Sequence, residues 1–126
     1  MRYLIDTTFV IDHLRGDPGT RQLMAQMVEL GDELFVNEVV VAEAWAGAHD
    51  NRDPDLEAFL AFIEFVQPGP DAAHAAGRWR ADARRRGWAL SMTDALIAAA
   101  AHSLKAVVLT RNLRDFALTP VPVETY

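Results

Sequence analysis

Short apolar runs alternate along this chain with longer segments whose apolar residues recur at helical spacing, and this alternation limits the possible folds. The predicted strands cover residues 3–5, 34–36, 66–67, 106–110 and 121–123. The predicted helices cover residues 8–14, 20–30, 39–48, 56–65, 71–86 and 93–102. Strands that alternate with helices predict an α/β fold with a mainly parallel sheet, here of about five short strands.

Length and composition narrow the class of protein. A chain of 126 residues, of which 51% are hydrophobic, is long enough for one packed core and too short for two. The absence of cysteine excludes disulfides, cysteine-based zinc sites and cysteine nucleophiles. The first apolar run ends at Asp6, unlike that of a signal peptide, and no run approaches the roughly 20 residues of a membrane span. We expect a soluble cytoplasmic protein with a single domain over residues 1–126.

Charge is distributed unevenly along the chain. Residues 1–71 contain 14 acidic and 4 basic side chains, whereas residues 72–126 contain 4 acidic and 8 basic ones, for a net charge of −6. Five bases lie close together: Arg78, Arg80, Arg84, Arg85 and Arg86. A solvated helix face is the simpler interpretation of this cluster. The alternative is a basic face that binds phosphates on an otherwise acidic chain.

Four acidic residues each lie beside an apolar element, and each has an ordinary structural explanation. Asp6 follows the first strand, where it is placed to cap the next helix. Glu43 lies among apolar neighbours, where a carboxylate is either exposed or buried with a partner. Asp94 opens a helix, where an acid interacts favourably with the helix dipole, and Asp115 lies in a polar segment after a strand.

Taken together, the four acids predict a metal site. In a parallel sheet, ligand sites collect at the carboxyl ends of the strands, so these side chains are expected to meet there. Carboxylates that are close together raise one another's pKa, and a divalent cation removes that conflict. Oxygen ligands without cysteine or paired histidine favour Mg²⁺ or Mn²⁺ over Zn²⁺. Such a site hydrolyses phosphodiesters by activating water and stabilising the developing negative charge.

Four segments resemble the signature segments of PIN-domain proteins of the VapC toxin family. They are YLIDTTFVI at residues 3–11, VAE at 41–43, TDALIAAAA at 93–101 and LTRNLRDF at 109–116. Their order, their spacing and the chain length all match, so the resemblance spans essentially the whole chain. DALIAA at residues 94–99 and TRNLRDF at residues 110–116 are specific in combination, and neither is decisive alone.

The resemblance implies a PIN-like three-layer α/β/α fold and a metal-dependent endoribonuclease that leaves a 3′-hydroxyl and a 5′-phosphate. It assigns the catalytic and metal-binding roles to four acids: Asp6, Glu43, Asp94 and Asp115. Asp6 and Asp94 are the firmest metal ligands, Glu43 would position water, and Asp115 would complete the site. Three polar residues match supporting positions: Thr8, Thr110 and Asn112. Position 8 is threonine where the family often has serine, and the hydroxyl is retained.

The resemblance also implies partners. VapC-type toxins of type II toxin–antitoxin pairs associate with a VapB-type antitoxin whose C-terminal segment blocks the site, and they usually form homodimers or toxin–antitoxin hetero-oligomers. An apolar helix face is available for such contacts or for the core, and the core is the favoured use: Leu56, Phe59, Leu60 and Ile63. No membrane contact is expected. Four arginines are candidates for RNA binding: Arg78, Arg84, Arg85 and Arg86. Trp79 and Trp88 flank the cluster, where base stacking is a further hypothesis.

Two alternative functions remain open from the sequence. A phosphatase of the haloacid-dehalogenase type would use Asp6 as its nucleophile, but position 8 is not a second aspartate and the chain is short for that fold with its cap. A non-catalytic PIN-like binding module would not need four intact acids. Which RNA is cleaved, transfer, ribosomal or messenger, is not determined by these residues.

Overall fold

A five-stranded parallel sheet forms the centre of the protein. The structure is a computed structural model and describes residues 1–47 and 53–126. The strands are β1 (Arg2–Ile5), β2 (Glu33–Asn37), β3 (Glu64–Val66), β4 (Val107–Leu109) and β5 (Val123–Glu124). Their order across the sheet is β3-β2-β1-β4-β5, and every neighbouring pair is parallel. The predicted α/β class is confirmed, and the sheet is wholly rather than mainly parallel.

Helices pack on the sheet in a three-layer α/β arrangement, as the sequence predicted. Seven helices lie in the described part of the chain: α1 (Thr7–Leu14), α2 (Pro18–Leu30), α3 (Glu38–Gly47), α4 (Asp53–Ala61), α5 (Pro70–Arg85), α6 (Met92–Leu104) and α7 (Leu113–Phe116). Helix α6 is rich in alanine, and its residues 97–101 are almost fully buried. Small side chains let this helix lie close to its neighbours, chiefly α5 and β1.

The central strand β1 fixes the position of Asp6, the residue that directly follows it. Leu4 and Ile5 have no exposed surface, as expected for a strand covered on both faces. Ile5 is in register with Leu109 of β4, and the backbone N–H of Asp6 donates to the carbonyl of Leu109 at 3.0 Å. The chain crosses in opposite directions from β1 to reach β2 and β4, which creates a crevice at the carboxyl ends of the strands. Asp6 and Thr110 therefore lie side by side at this edge.

Several predicted boundaries differ from the structure. The helix predicted over 56–65 is α4, which ends at Ala61 and is followed by tighter i→i−3 hydrogen bonds at Phe62 and Ile63 before β3 begins. The helix predicted over 39–48 is α3, which begins one residue earlier, at Glu38, and residue 48 lies outside the described residues. Helix α7 was not predicted. The last strand pairs through Val123 and Glu124 rather than through 121–123.

The apolar face of α4 serves the core. Leu56, Phe59 and Ile63 are each at most 6% exposed and belong to the main core cluster, which confirms the favoured use of that face. Phe62 lies beside them and is 80% exposed. Among the described residues, no helix combines the length and the apolar character that crossing a bilayer requires.

Candidate active site

Asp6 lies at the carboxyl end of β1 and is held by threonine hydroxyls. Although it occupies the position before α1, its side chain makes no capping hydrogen bond, so the capping explanation is not supported. Its Oδ2 instead accepts hydrogen bonds from Thr110 Oγ1 at 2.6 Å and from Thr8 Oγ1 at 3.1 Å. Asp6 is only 4% exposed and Thr110 is fully buried. A buried carboxylate requires such donors, and this pair fixes the orientation of the Asp6 side chain.

Glu43 projects from α3 and is partnered by α1. Thr7 Oγ1 donates to Glu43 Oε1 at 2.8 Å, across 36 residues of sequence. Thr7 is buried and Glu43 is half-buried, so neither side chain behaves as an isolated surface group. The hydrogen bond ties the first turn of α1, directly after Asp6, to the acid on α3. Sequence alone did not identify Thr7 as a site residue.

Asp94 occupies the first turn of α6, where Ser91 caps the helix. Ser91 Oγ accepts from the backbone N–H of Asp94 at 3.1 Å. The pKa of Asp94 is raised to about 6, chiefly by burial and also by the negative charges of Asp6, Asp115 and Glu43, against the lowering effect of the Ser91 hydrogen bond. The three carboxylates are thus close enough to oppose ionisation of the fourth. The fold therefore places the four predicted acids within electrostatic reach of one another.

Asp115 lies in α7 and is partnered by Asn112. Asn112 Nδ2 donates to Asp115 Oδ2, and the backbone N–H of Asn112 donates to Thr110 Oγ1 at 2.9 Å. Thr110 therefore joins the Asp6 side of the site to the Asp115 side. The predicted supporting residues Thr8, Thr110 and Asn112 all contact the acids or one another.

The donor set fits a hard divalent cation. In the described ranges 1–47 and 53–126, no group of three or more His, Asp or Glu side chains is arranged to hold a metal ion. Mg²⁺ usually takes only one or two carboxylates directly and keeps several waters, so the coupled acids still suit this ion. The oxygen-only partners, and the raised pKa of Asp94 caused by burial and the neighbouring carboxylates, both point to a site that a cation would stabilise.

A network that the sequence did not reveal borders the site. Asp12 of α1 is 8% exposed and accepts from Arg111 Nη1 at 3.1 Å and 2.9 Å, and from the hydroxyl of Tyr126 at 2.8 Å. The Tyr126 ring packs edge-on against Phe9 at 5.1 Å. The backbone N–H of Arg111 also donates to Thr8 Oγ1 at 3.4 Å. The network therefore fastens the Thr110–Asn112 turn to α1. In the sequence, Asp12 is an acid within an otherwise apolar helical run, and this was the available sign that it has a buried partner.

Removing the Tyr126 hydroxyl should weaken this fastening. Tyr126→Phe keeps the ring against Phe9 but leaves the buried carboxylate of Asp12 with Arg111 as its remaining partner. We expect a loss of about 1.5 kcal/mol in the free energy of unfolding, a typical contribution of a hydrogen bond to a charged group. Urea unfolding monitored by circular dichroism measures it. An unchanged midpoint would mean that the hydroxyl does not support the network.

The predicted RNA-binding arginines are not part of the acidic cluster. Arg78, Arg84, Arg85 and Arg86 are all exposed along α5 and just beyond its end. Arg85 pairs with Asp82 at 3.3 Å. Arg84 lies beside Trp88 in a small surface cleft, and Trp88 itself lies in a larger cleft with Asp115. The basic helix is thus connected to the site through Trp88.

Comparison with known proteins assigns the family. Residues 3–121 match the family described as PIN domain. This chain belongs to the PIN-domain family. Ribonuclease VapC19 of Mycobacterium tuberculosis is 36% identical over 117 residues, covering 93% of this chain and 94% of the relative. The tRNA(fMet)-specific endonuclease VapC of Salmonella typhimurium is 25% identical over 126 residues, covering 95% and 93% of the two chains.

Solved structures support the same fold. A chain in the crystal structure of VapBC2 from Rickettsia felis, bound to a DNA fragment from its promoter, superposes with a TM-score of 0.89. The two chains are 19% identical, and the match covers 100% of this PIN domain and 99% of the other chain. The predicted VapC-type family and nuclease class are confirmed. The phosphatase with Asp6 as nucleophile and the non-catalytic module are not favoured.

The hydrogen bond from Thr7 to Glu43 gives a test within this PIN domain. Thr7→Val removes the donor but keeps a branched side chain of similar size, so Glu43 loses its fixed orientation. We expect the rate of RNA cleavage to fall about tenfold, as for loss of an orienting group beside a reacting centre. Steady-state cleavage assays measure this. Thr20→Val is the control, since Thr20 is a buried threonine of α2 whose hydroxyl bonds to the carbonyl of Asp17. Equal effects of both variants would contradict a specific role for Thr7.

Proposed function

We propose that this PIN domain is a metal-dependent endoribonuclease that acts as the toxin of a type II toxin–antitoxin pair. The observation that carries the proposal is the chain of hydrogen bonds that joins Asp6 through Thr110 and Asn112 to Asp115 at one edge of the sheet. The pKa of Asp94, which burial and the charges of Asp6, Asp115 and Glu43 raise, supports it. The VapC relatives are named as ribonucleases, which supports RNA as the substrate. We take residues 1–126 as one functional unit, because the family match spans 3–121 and one sheet contains all five strands.

Asp6 and Asp94 would hold Mg²⁺ or Mn²⁺, with Asp115 and Glu43 completing the site. When bound, the ion would supply Lewis-acid stabilisation of the charge that develops on the phosphate. Thr8 and Thr110 hold the Asp6 carboxylate in one orientation, and Asn112 does the same for Asp115. Preorganised ligands of this kind avoid the cost of rearrangement on binding.

Glu43 is the residue placed to act on water. Thr7 donates to its Oε1, which fixes the orientation of the carboxylate. Glu43 would orient the attacking water and accept its proton. Attack on the phosphorus would break its bond to the 3′ oxygen, which would take a proton from solvent, so the products are a 3′-hydroxyl and a 5′-phosphate. No covalent enzyme intermediate forms in this scheme, in contrast to a phosphatase with an aspartate nucleophile.

The exposed bases would bring the RNA to an acidic protein. Arg78, Arg84, Arg85 and Arg86 supply local positive charge on and after α5, although the net charge of the chain is −6. Their contribution would be electrostatic and largely independent of sequence. The acidic cluster itself repels phosphates until a cation is bound, so RNA binding at the site and metal binding should support each other.

The proposed partner is a VapB-type antitoxin that covers the acidic site. Structural neighbours include a toxin–antitoxin complex from Klebsiella pneumoniae, VapBC2 from Rickettsia felis bound to promoter DNA, and FitAB bound to a DNA fragment. A homodimer or a toxin–antitoxin hetero-oligomer is the proposed assembly. The cytoplasm is the proposed compartment, in keeping with a chain that contains no cysteine.

The test is cleavage of total cellular RNA by the purified chain without any partner. Parallel reactions contain Mg²⁺, Mn²⁺ or EDTA, and end-sequencing of the fragments identifies the target and the chemistry of the termini. We expect discrete fragments with 3′-hydroxyl and 5′-phosphate ends that depend on metal. A folded protein that cleaves no RNA with either metal, or that cleaves equally well in EDTA, would overturn the proposal.

A further inference from the structure

A cleft opens directly beside the acidic site. Its volume is about 670 Å³, and its lining joins Asn112 and Asp115 of the site to Trp88 and Arg114. Trp88 also lines a second, smaller cleft of about 200 Å³, together with Arg84. A continuous surface therefore runs from the end of α5 across one indole ring to a carboxylate of the nuclease site.

The Trp88 backbone is held firmly. Gly87 takes the left-handed conformation with φ of 81° and ends α5, after which the N–H of Trp88 donates to the carbonyl of Ala83 at 2.9 Å. Arg80 Nε donates to the carbonyl of Leu90 at 3.0 Å, which fastens the other side of the segment. The indole is nevertheless 55% exposed. A large aromatic side chain on a fixed backbone, facing solvent, offers a preformed stacking surface.

The charges around Trp88 favour an anionic occupant. Arg114 follows Leu113 in α7 and is exposed within the larger cleft, and Arg84 is exposed beside the smaller one. Trp88 therefore lines two clefts, each of which also contains a cationic side chain. An aromatic surface flanked by guanidinium groups is the arrangement that binds single-stranded nucleic acid. Because Asp115 also lines the larger cleft, a nucleotide bound there would lie next to the catalytic acids, as a substrate must.

We propose that Trp88, Arg114 and Arg84 form a nucleotide subsite in which one unpaired base of the RNA substrate stacks on the Trp88 indole, while its flanking phosphates contact the two arginines. The proposal rests on the proposed ribonuclease function and deepens it. It requires an unpaired nucleotide next to the cleaved bond, because a base within a duplex does not present its face to a side chain. Loops and single-stranded segments are therefore the substrates that this chain would select.

The stacking arm of the test uses fluorescence anisotropy of a short labelled single-stranded RNA in EDTA, where no cleavage occurs. Low salt strengthens the attraction of the arginines for the RNA and so offsets the repulsion by the metal-free acids. Trp88→Leu keeps an apolar side chain but removes the ring, and the dissociation constant should rise about tenfold, in the range measured for loss of one stacked base. Trp88→Phe keeps a ring and should raise it no more than about threefold. Phe62→Leu, on the exposed aromatic at the end of α4, is the control and should bind as the unaltered protein does.

An abasic scan separates stacking from a general structural effect. The same RNA is prepared with a single abasic nucleotide at each position in turn. At one position, removing the base should weaken RNA binding by the unaltered protein but not by Trp88→Leu. The variant has already lost the ring on which that base would stack. If Trp88→Leu binds normally, as it would if this surface served a protein partner, the subsite is wrong. The proposal would also be overturned if Trp88→Leu and Trp88→Phe lost the same amount of RNA affinity, relative to the unaltered protein, at every abasic position.

The arginine arm uses salt dependence. Arg114→Ala should weaken binding and reduce the slope of log affinity against log salt by roughly 0.7, the amount expected for one phosphate contact on a single strand. Arg84→Ala should do the same, while Arg15→Ala, on an exposed base after α1, should leave the slope unchanged. Unchanged slopes for both Arg114→Ala and Arg84→Ala would contradict the phosphate contacts.

The subsite and the proposed function fail in different ways. If the unaltered protein cleaves RNA with metal and the Trp88 variants bind and cleave equally well, only the subsite is wrong. If the unaltered protein binds RNA through Trp88 but cleaves nothing with Mg²⁺ or Mn²⁺, the nuclease proposal is wrong and the nucleotide contact remains.

Discussion

Asp94→Asn should reduce RNA cleavage by roughly 100-fold or more, because it removes a proposed ligand of the cation that would stabilise the developing charge. Asparagine keeps the size of the side chain, and the backbone N–H that Ser91 caps is unaltered, so α6 should still form. The charge is lost at the position where the other three carboxylates converge. Steady-state cleavage at saturating Mg²⁺ measures the effect. Asp82→Asn is the control, since Asp82 is an exposed acid of α5 that pairs with Arg85.

Although Asp94→Asn should lower the cleavage rate, it should raise the stability of the metal-free protein. Burial and the neighbouring carboxylates raise the pKa of Asp94 to about 6 in the folded chain, above about 3.9 in the unfolded chain. The folded state then binds more protons between about pH 4 and pH 6, so the stability of the metal-free protein falls through this window as pH rises.

Asp94→Asn should remove that fall. In EDTA, the difference in unfolding free energy between variant and parent should grow from pH 4 to pH 6 and reach about 1 kcal/mol at pH 7. This figure is well below the full value for two pKa units because Asp94 is only partly buried and solvent screens its charge. Urea unfolding at several pH values measures the difference. A variant that is less stable than the parent at pH 7 would contradict the crowding of the four carboxylates.

Thr110→Val should have the second largest effect, and it should affect both stability and activity. Thr110 is fully buried, donates to Asp6 Oδ2 at 2.6 Å and accepts from the backbone N–H of Asn112 at 2.9 Å. Valine preserves the shape of the side chain but leaves a buried carboxylate with one donor fewer and a backbone N–H without its acceptor. We expect a loss of about 2 kcal/mol in unfolding free energy and a decrease in cleavage rate of roughly tenfold.

A matched threonine separates the site effect from ordinary hydrogen-bond loss. Thr119 Oγ1 donates to the carbonyl of Phe116 at 2.7 Å, just after α7 and without contact to an acid. Thr119→Val should cost about 1 kcal/mol or less in stability and should leave the cleavage rate unaltered. If Thr110→Val cleaves RNA at the parent rate, then Thr110 does not orient Asp6.

The sequence predicted the sheet and the four acids because both depend on local pattern. Three-residue apolar runs followed by Asp6 or by Thr110 indicate strand ends, and parallel strands bring such ends together. The limits of α4 were harder to predict. Ile63 continues the helical spacing of apolar residues and is buried, but it reaches the core from the tight turn after Ala61 rather than from the helix. Periodicity reports which residues are buried, not where the backbone changes conformation.

The contacts that hold the site could not be predicted from local pattern. Asp12 is separated by 99 residues from Arg111 and by 114 from Tyr126, and their hydrogen bonds exist only because β4 lies beside β1. The four-residue helix α7 is too short to show a period, so its role in presenting Asp115 was also missed. Thr7 was overlooked because a threonine in a first helical turn is unremarkable until the partner on α3 is known.

The measurement that tests the central claim most directly is Mn²⁺ binding by titration calorimetry. In the proposed mechanism, Asp6 and Asp94 hold one divalent cation, and Glu43 and Asp115 complete its site. We therefore expect binding to the parent, a loss of at least tenfold in affinity for Asp6→Asn and for Asp94→Asn, and parent-like binding for Asp82→Asn. A folded parent that binds no Mn²⁺, or Asp6→Asn and Asp94→Asn variants that bind it as tightly as the parent, would contradict the account.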